Sequence, residues 1–177
     1  MLRRRFDAQV SQMTKLEPQL THLNAAGDAR MVDVSQKEDS DRRAVATSSV
    51  VMHERTLQAI LEGDVPKGDV LAVARIAGIQ AAKQCANLIP LCHPLALSSV
   101  EVAIRPDADL PGLVIEAICK TCGKTGVEME SLTAAAVAAL AVYDMCKAID
   151  PMMIIKSTRL ESKEGGKSGE WGRDESC

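Results

Sequence analysis

The chain has 177 residues, 46% of them hydrophobic and 25% charged, enough for one domain that buries its own core without disulfide or metal staples. A formal charge of -3 excludes a general electrostatic pull toward nucleic acid or an anionic membrane. Phe6, Tyr143 and Trp171 are the only aromatic residues, so the core is built from Ala, Val, Ile, Leu and Met, and base-stacking recognition of single strands is disfavoured.

Residues 1–20 read as an N-terminal extension closed by Pro18. Its basic start, Met1-Leu2-Arg3-Arg4-Arg5, lacks the apolar stretch of a secretory signal. Asp7 and Glu17 weigh against a mitochondrial presequence, which leaves a cytoplasmic enzyme as the expectation. Met31-Val32-Asp33-Val34 is a short strand candidate, and residues 44–52, rich in β-branched side chains, form a second. A short helix over residues 56–61 stops at Gly63. Asp69, after the turn Lys67-Gly68, is placed to cap a helix over residues 70–87 that ends before Pro90. Leu91-Cys92-His93-Pro94 is a constrained loop. Residues 98–105 and 113–122 alternate as strands around a turn and predict a hairpin.

Gly123-Lys124-Thr125-Gly126 is a tight loop before the longest helix, residues 127–148. Thr125 and Glu128 have the spacing of a capping box. Pro151 follows that helix, and residues 152–160 form the last strand. Residues 161–177 are a Gly-, Lys- and Ser-rich tail, leaving 21–160 as a single α+β domain of layered helices and mostly antiparallel strands. No run of about 18 apolar residues is free of charge, so no membrane span is expected.

Each chemical signal has a plain structural alternative. Gly123-Lys124-Thr125 lacks the earlier glycine of a P-loop, because Ile118 stands there. Lys124 is a phosphate contact or a solvated loop residue, and Lys163 and Lys167 are weaker versions of the same choice. Cys119-Lys120-Thr121-Cys122 has CxxC spacing, but positions i and i+3 of a strand point to opposite faces, which suits ordinary thiols better than zinc. The six cysteines are scattered, most within apolar runs, and read as thiols of a reducing compartment. His93 is restricted by Pro94 to extended geometry, as a structural histidine or a site group.

Asp144 and Lys147 lie three residues apart, on one helix face. A surface ion pair of that kind contributes little. Here it ends an almost wholly apolar stretch, residues 132–142, so the pair is expected to face a pocket, where a lysine pKa shifts downward into the acid–base range. Glu130 lies 14 residues before Asp144, about 21 Å along the helix at ~1.5 Å per residue. Either one end alone is functional, or two subunits pack these helices antiparallel and share sites in a symmetric oligomer.

Four segments together resemble the MoaC family: Lys67-Gly68-Asp69, Ile89-Pro90-Leu91-Cys92-His93-Pro94-Leu95, Gly123-Lys124-Thr125-Gly126-Val127-Glu128-Met129-Glu130 and Tyr143-Asp144-Met145-Cys146-Lys147. Leu20-Thr21-His22-Leu23-Asn24 adds to the likeness, which spans residues 20–169. The family is that of the cyclic pyranopterin monophosphate synthases of molybdenum cofactor biosynthesis. The resemblance implies a ferredoxin-like α+β fold, an antiparallel sheet packed by two long helices, assembled as a homohexamer of three dimers with sites at the dimer interface. It implies the substrate 3′,8-cyclo-7,8-dihydroguanosine 5′-triphosphate, made by a radical SAM GTP cyclase, and a lyase reaction that releases diphosphate. Carried over by motif, Asp144, Lys147 and Lys67 are catalytic. Leu91, Cys92, His93, Met129 and Glu130 bind substrate, with Lys83, Lys124 and Lys163 as further phosphate contacts.

The residue types suit that chemistry: lysines meet the charge developing on a diphosphate leaving group, and an amine with a carboxylate serves ring opening and closure. In this reading Lys67 and Lys147 are the acid–base pair, Asp144 sets the state of Lys147, and His93 orients the base or the phosphate. No protein ligand cluster calls for a metal or other cofactor; magnesium can enter on the substrate triphosphate. The competing readings are a non-catalytic nucleotide-binding regulatory domain, an RNA-binding module, which the scarcity of aromatics opposes, and a ligand-free structural oligomer.

Overall fold

In the computed structural model the described residues are 22–24, 26–107, 109 and 111–173. Two compact units divide at Asp33 and Val34. In the first, His22, Leu23 and Asn24 lead into a turn where the Asn24 side chain accepts the amide N–H groups of Ala26 and Asp28. The strand expected at 31–34 is absent, and these residues have no regular secondary structure. Strand propensity is realised only within a sheet, and four residues are a weak signal for it.

The second unit runs β1 (Ser40–Val51), α1 (Glu54–Glu62), α2 (Val70–Lys83), α3 (Cys85–Leu88), β2 (Ser99–Pro106), β3 (Gly112–Gly123), α4 (Glu128–Cys146), β4 (Ile154–Glu164) and β5 (Trp171–Gly172). The strands form one sheet in the order β2-β3-β1-β4-β5, with every neighbouring pair antiparallel. The ferredoxin-like α+β arrangement is therefore present, with β1 central and the helical crossovers on one face. Ala44, Ala46, Ser48 and Val50 point from β1 into the core, and Leu113, Ile115, Ala117 and Cys119 do so from β3. Cys122 is exposed, so the two thiols of the CxxC segment do lie on opposite faces.

Helices α2 and α4 pack through small side chains. Ala134, Ala135, Ala138 and Ala139 are fully buried, and Gly78 of α2 lies so close that a Cβ there would sit 2.9 Å from the Ala134 carbonyl oxygen. By length and composition alone α4 could cross a membrane, but half of it is buried within this unit. Asp69 caps α2 as expected, accepting the Ala72 N–H at 2.9 Å. The helix expected to run to residue 87 instead breaks at Gln84 (φ -105°, ψ 9°). The bend accompanies the burial of Cys85 against Thr133 of α4, so packing overrides helix continuity.

Two further ends differ from expectation. The capping box does not form: α4 starts from Val127 without a side-chain cap, and the Glu128 carboxylate turns to Lys163 at 3.3 Å. Strand β4 continues beyond residue 160 to Glu164 because β1 keeps offering it ladder partners across two register shifts, ending at an Arg43–Glu164 ion pair of 2.8 Å. Replacing Gly78 with Val should destabilise the fold by about 1–3 kcal/mol, since a rigid helix backbone faces the new side chain. Chemical denaturation checks this, and Gly78→Val unfolding at the wild-type midpoint would contradict the close packing described.

Candidate functional site

The last turn of α4 presents Asp144, and Lys147 follows as the helix C-cap. Lys67 arrives from a different segment. Helix α1 ends at Gly63, whose left-handed φ of 75° reverses the chain without a Cβ clash. Val65 then anchors the connection in the core, and Lys67 reaches across to α4. Its ammonium donates to Asp144 Oδ2 at 2.8 Å and to the Asp144 carbonyl oxygen at 2.7 Å. Lys147 pairs with the other carboxylate oxygen, Oδ1, at 2.8 Å. The three residues proposed as catalytic thus meet in one cluster, from positions 77 residues apart.

The electrostatics of this cluster reverse one expectation. The three side chains are 41–58% exposed, so the cluster stands in water and is not desolvated. Hydrogen bonds from Lys147 and Lys67 hold the Asp144 carboxyl down at about 2. The Asp144 carboxylate in turn raises the Lys147 pKa, where a downward shift was expected. Water offsets desolvation at an exposed site, and the opposite charge then dominates. Lys147 is a secure ammonium, suited to meeting an anion.

A second group gathers at the start of α4. Glu130 is buried, and desolvation raises its pKa despite hydrogen bonds from its own backbone and from Cys85. Half-buried Cys92 lies close enough for the Glu130 charge to raise its thiol pKa, after the larger effect of burial. Leu91 and His93 flank it, also half-buried. Met129 is exposed beside Glu130. Lys124 donates to the Ser35 carbonyl oxygen at 2.8 Å, and Lys163 contacts Glu128 and, at 3.2 Å, the Ser168 hydroxyl. Lys83 joins neither group; it sits at the end of α2 on a groove of about 410 Å³ shared with Ile79, Leu95 and Leu97.

The MoaC family model matches residues 31–166. The chain is 60% identical over 152 residues to a Nostoc protein named cyclic pyranopterin monophosphate synthase, covering 86% of this chain and 90% of that one. Proteins of the same name from Chloroflexus aggregans and Chloroflexus aurantiacus are 58% and 56% identical, over 90% and 91% of this chain and 96% and 99% of theirs. The chain belongs to the MoaC family.

In this MoaC chain the two groups of motif residues occupy opposite ends of one helix. Sequence reading missed other residues that the fold brings to their edges. Arg42 donates from Nε to the Gly123 carbonyl oxygen at 3.2 Å, next to Lys124. With Arg43 and Lys120 it lines a hollow of about 480 Å³, with Asp41 and Glu164 on the same wall. The Arg42-Arg43 pair is visible in the sequence at the start of β1, but only the β1–β3 register puts it beside the Gly123 loop. Asp150 is fully buried with its carboxylate bonded, and a lone Asp between Ile149 and Pro151 gives no such signal.

Two titrations check this electrostatic account. In Lys147→Met and in Lys67→Met the Asp144 carboxyl, followed by NMR, should move up from about 2 toward the ordinary carboxylate range. A depressed carboxyl stabilises the fold above its ordinary pKa and loses that contribution as pH falls through the depressed value. Glu130 has the opposite sign. Its raised pKa makes the fold lose stability as pH rises from the ordinary carboxylate range through the raised value. Glu130→Gln should remove that decline in a melting-temperature profile, and an unchanged profile would contradict the burial of a titrating carboxyl.

Proposed function

We propose that this chain is a cyclic pyranopterin monophosphate synthase, a lyase that converts 3′,8-cyclo-7,8-dihydroguanosine 5′-triphosphate to cyclic pyranopterin monophosphate and diphosphate. The observation that carries the reading is the Lys67–Asp144–Lys147 cluster, two ammonium groups on one carboxylate at 2.8 Å each, in a chain whose relatives bear that name. Diphosphate loss places negative charge on the leaving group, and preorganised ammonium groups stabilise it there. Lys147, kept protonated by Asp144, is the cation for the leaving group, and it acts as the general acid only once substrate weakens its bond to Asp144. Lys67 completes the acid–base pair once substrate draws it away from Asp144. Glu130, Met129, Leu91, Cys92 and His93 bind the substrate, with Lys124, Lys163 and Lys83 as phosphate contacts. Magnesium enters with the triphosphate, and the substrate comes from a radical SAM GTP cyclase in the cytoplasm.

The site as proposed is shared between subunits of a homohexamer, a trimer of dimers. Two supports stand on the helix itself. Its functional ends are about 21 Å apart, too far for one small substrate to touch both. Between them Leu132, Ala136 and the 56% exposed Leu140 form an apolar outer stripe at helical spacing. A second copy packed antiparallel on this face covers the stripe and sets one subunit's Asp144 by the other's Glu130.

Incubation with the cyclised GTP substrate, followed by measurement of diphosphate and pterin product, tests the activity. Asp144→Asn and Lys147→Ala should each abolish turnover while the oligomer stays intact by light scattering; near-normal product from either would sink the assignment. Mixing inactive Asp144→Asn with inactive Glu130→Gln subunits should restore up to about a quarter of wild-type turnover, since half the mixed dimers are hybrids with one intact site. No recovery after verified subunit exchange would refute the shared site.

A further inference from the structure

Asp150 has no part in the chemistry proposed above, yet both of its carboxylate oxygens are buried and hydrogen-bonded. It is 1% exposed. Its Oδ2 accepts the His53 backbone N–H at 2.9 Å and the Thr56 hydroxyl at 3.0 Å. Its Oδ1 accepts the Met152 N–H at 3.1 Å and lies 3.9 Å from His53 Nε2. Its own N–H donates to the Cys146 carbonyl oxygen at 3.0 Å, closing the end of α4. His53 is the N-cap residue of α1 but supplies no side-chain cap to its own helix. Asp150 supplies that anionic cap from the other end of the chain, where a carboxylate also suits the positive end of the α1 dipole.

These bonds join two pieces of backbone. One is the end of α4, which carries Asp144 and Lys147. The other is the start of α1, a helix anchored by Leu57 and Ile60 whose far end leads through Val65 to Lys67. The loop between α4 and β4 is held further by the Tyr143 hydroxyl on the Pro151 carbonyl oxygen at 3.1 Å. Cys146, buried at the end of α4, lies near enough for the charges of both Asp150 and Lys67 to act on its thiol.

We infer that Asp150 is a positioning residue: by capping α1 from the end of α4 it fixes the distance from Lys67 to Asp144 and Lys147. The inference rests on the reading of that cluster as catalytic only for its effect on turnover. Its geometric content stands independently. Misplacing a reacting group by about 1 Å costs on the order of 10²-fold in rate, so a small tilt of α1 is enough.

The test uses full-length Asp150→Asn, Thr56→Val and Thr56→Ser. Thr56→Val removes one donor to Asp150 at constant shape and carries the test alone should Asp150→Asn fail to fold. In Asp150→Asn and Thr56→Val the Asp144 carboxyl should titrate above its wild-type value of about 2 as Lys67 loosens. Turnover should fall roughly 10- to 100-fold in kcat with KM changed by no more than about twofold. Thr56→Ser, which restores the hydroxyl, should return both readouts to wild type. Variants that lose only melting temperature, with the Asp144 titration and kcat unchanged, would make Asp150 a merely structural cap and overturn the inference. A shifted Asp144 titration in a protein whose wild type lacks synthase activity would sustain the positioning role and defeat the proposed function instead.

Discussion

The close approach of α4 to α2 and to the sheet governs the rest of the molecule. Four fully buried alanines and Gly78 let these helices meet with almost no side-chain depth between them. A helix held that tightly is a rigid strut, and every group placed on its ends inherits a fixed position. Glu130 begins it, and Asp144 and Lys147 end it. The same rigidity separates the two groups by the helix length, so neither can bend toward the other within one chain. The proposed shared site takes the second from another copy, with the exposed apolar residues of the helix as the proposed surface for that contact.

The two ends differ in environment and therefore in chemistry. Glu130 is buried beside the Cys85 thiol, and its proton is held more tightly than usual. Asp144 stands in water between two ammonium groups and holds its proton far more weakly. Burial shifts one carboxyl of this helix upward and two ammonium groups shift the other downward, so environment alone moves the two apart in opposite directions. The lysines follow from this division. An exposed lysine beside a permanent carboxylate stays charged, whereas a buried lysine without a partner would lose its proton.

Much of the fold is legible in the amino-acid sequence, because it rests on local patterns. The alternation in β2 and β3, the cap at Asp69, the stop at Gly63 and the long run of α4 all depend on residues near in sequence. The exceptions are local signals overridden by tertiary partners. Glu128 gives up the capping box for Lys163 on the far strand. The helix after Asp69 breaks so that Cys85 can be buried against α4. Strand β4 runs past its apparent end because β1 continues to offer ladder partners. The 31–34 segment shows the converse, a strand-like pattern outside any strand.

The residue types of the candidate site, and the family that carries them, were determined by the sequence alone, since contiguous motifs keep their identity whatever surrounds them. That Lys67 belongs with Asp144 followed from the family likeness, but that it donates to two oxygens of that residue is a fact of the tertiary structure. Only the folded chain decided the charge state of Lys147, because exposure and the nearest opposite charge set a pKa and neither can be read from spacing. Asp150 makes the same point most sharply. Its four polar contacts reach α1 and α4 together, and a carboxylate acquires such a role only when two distant segments converge on it.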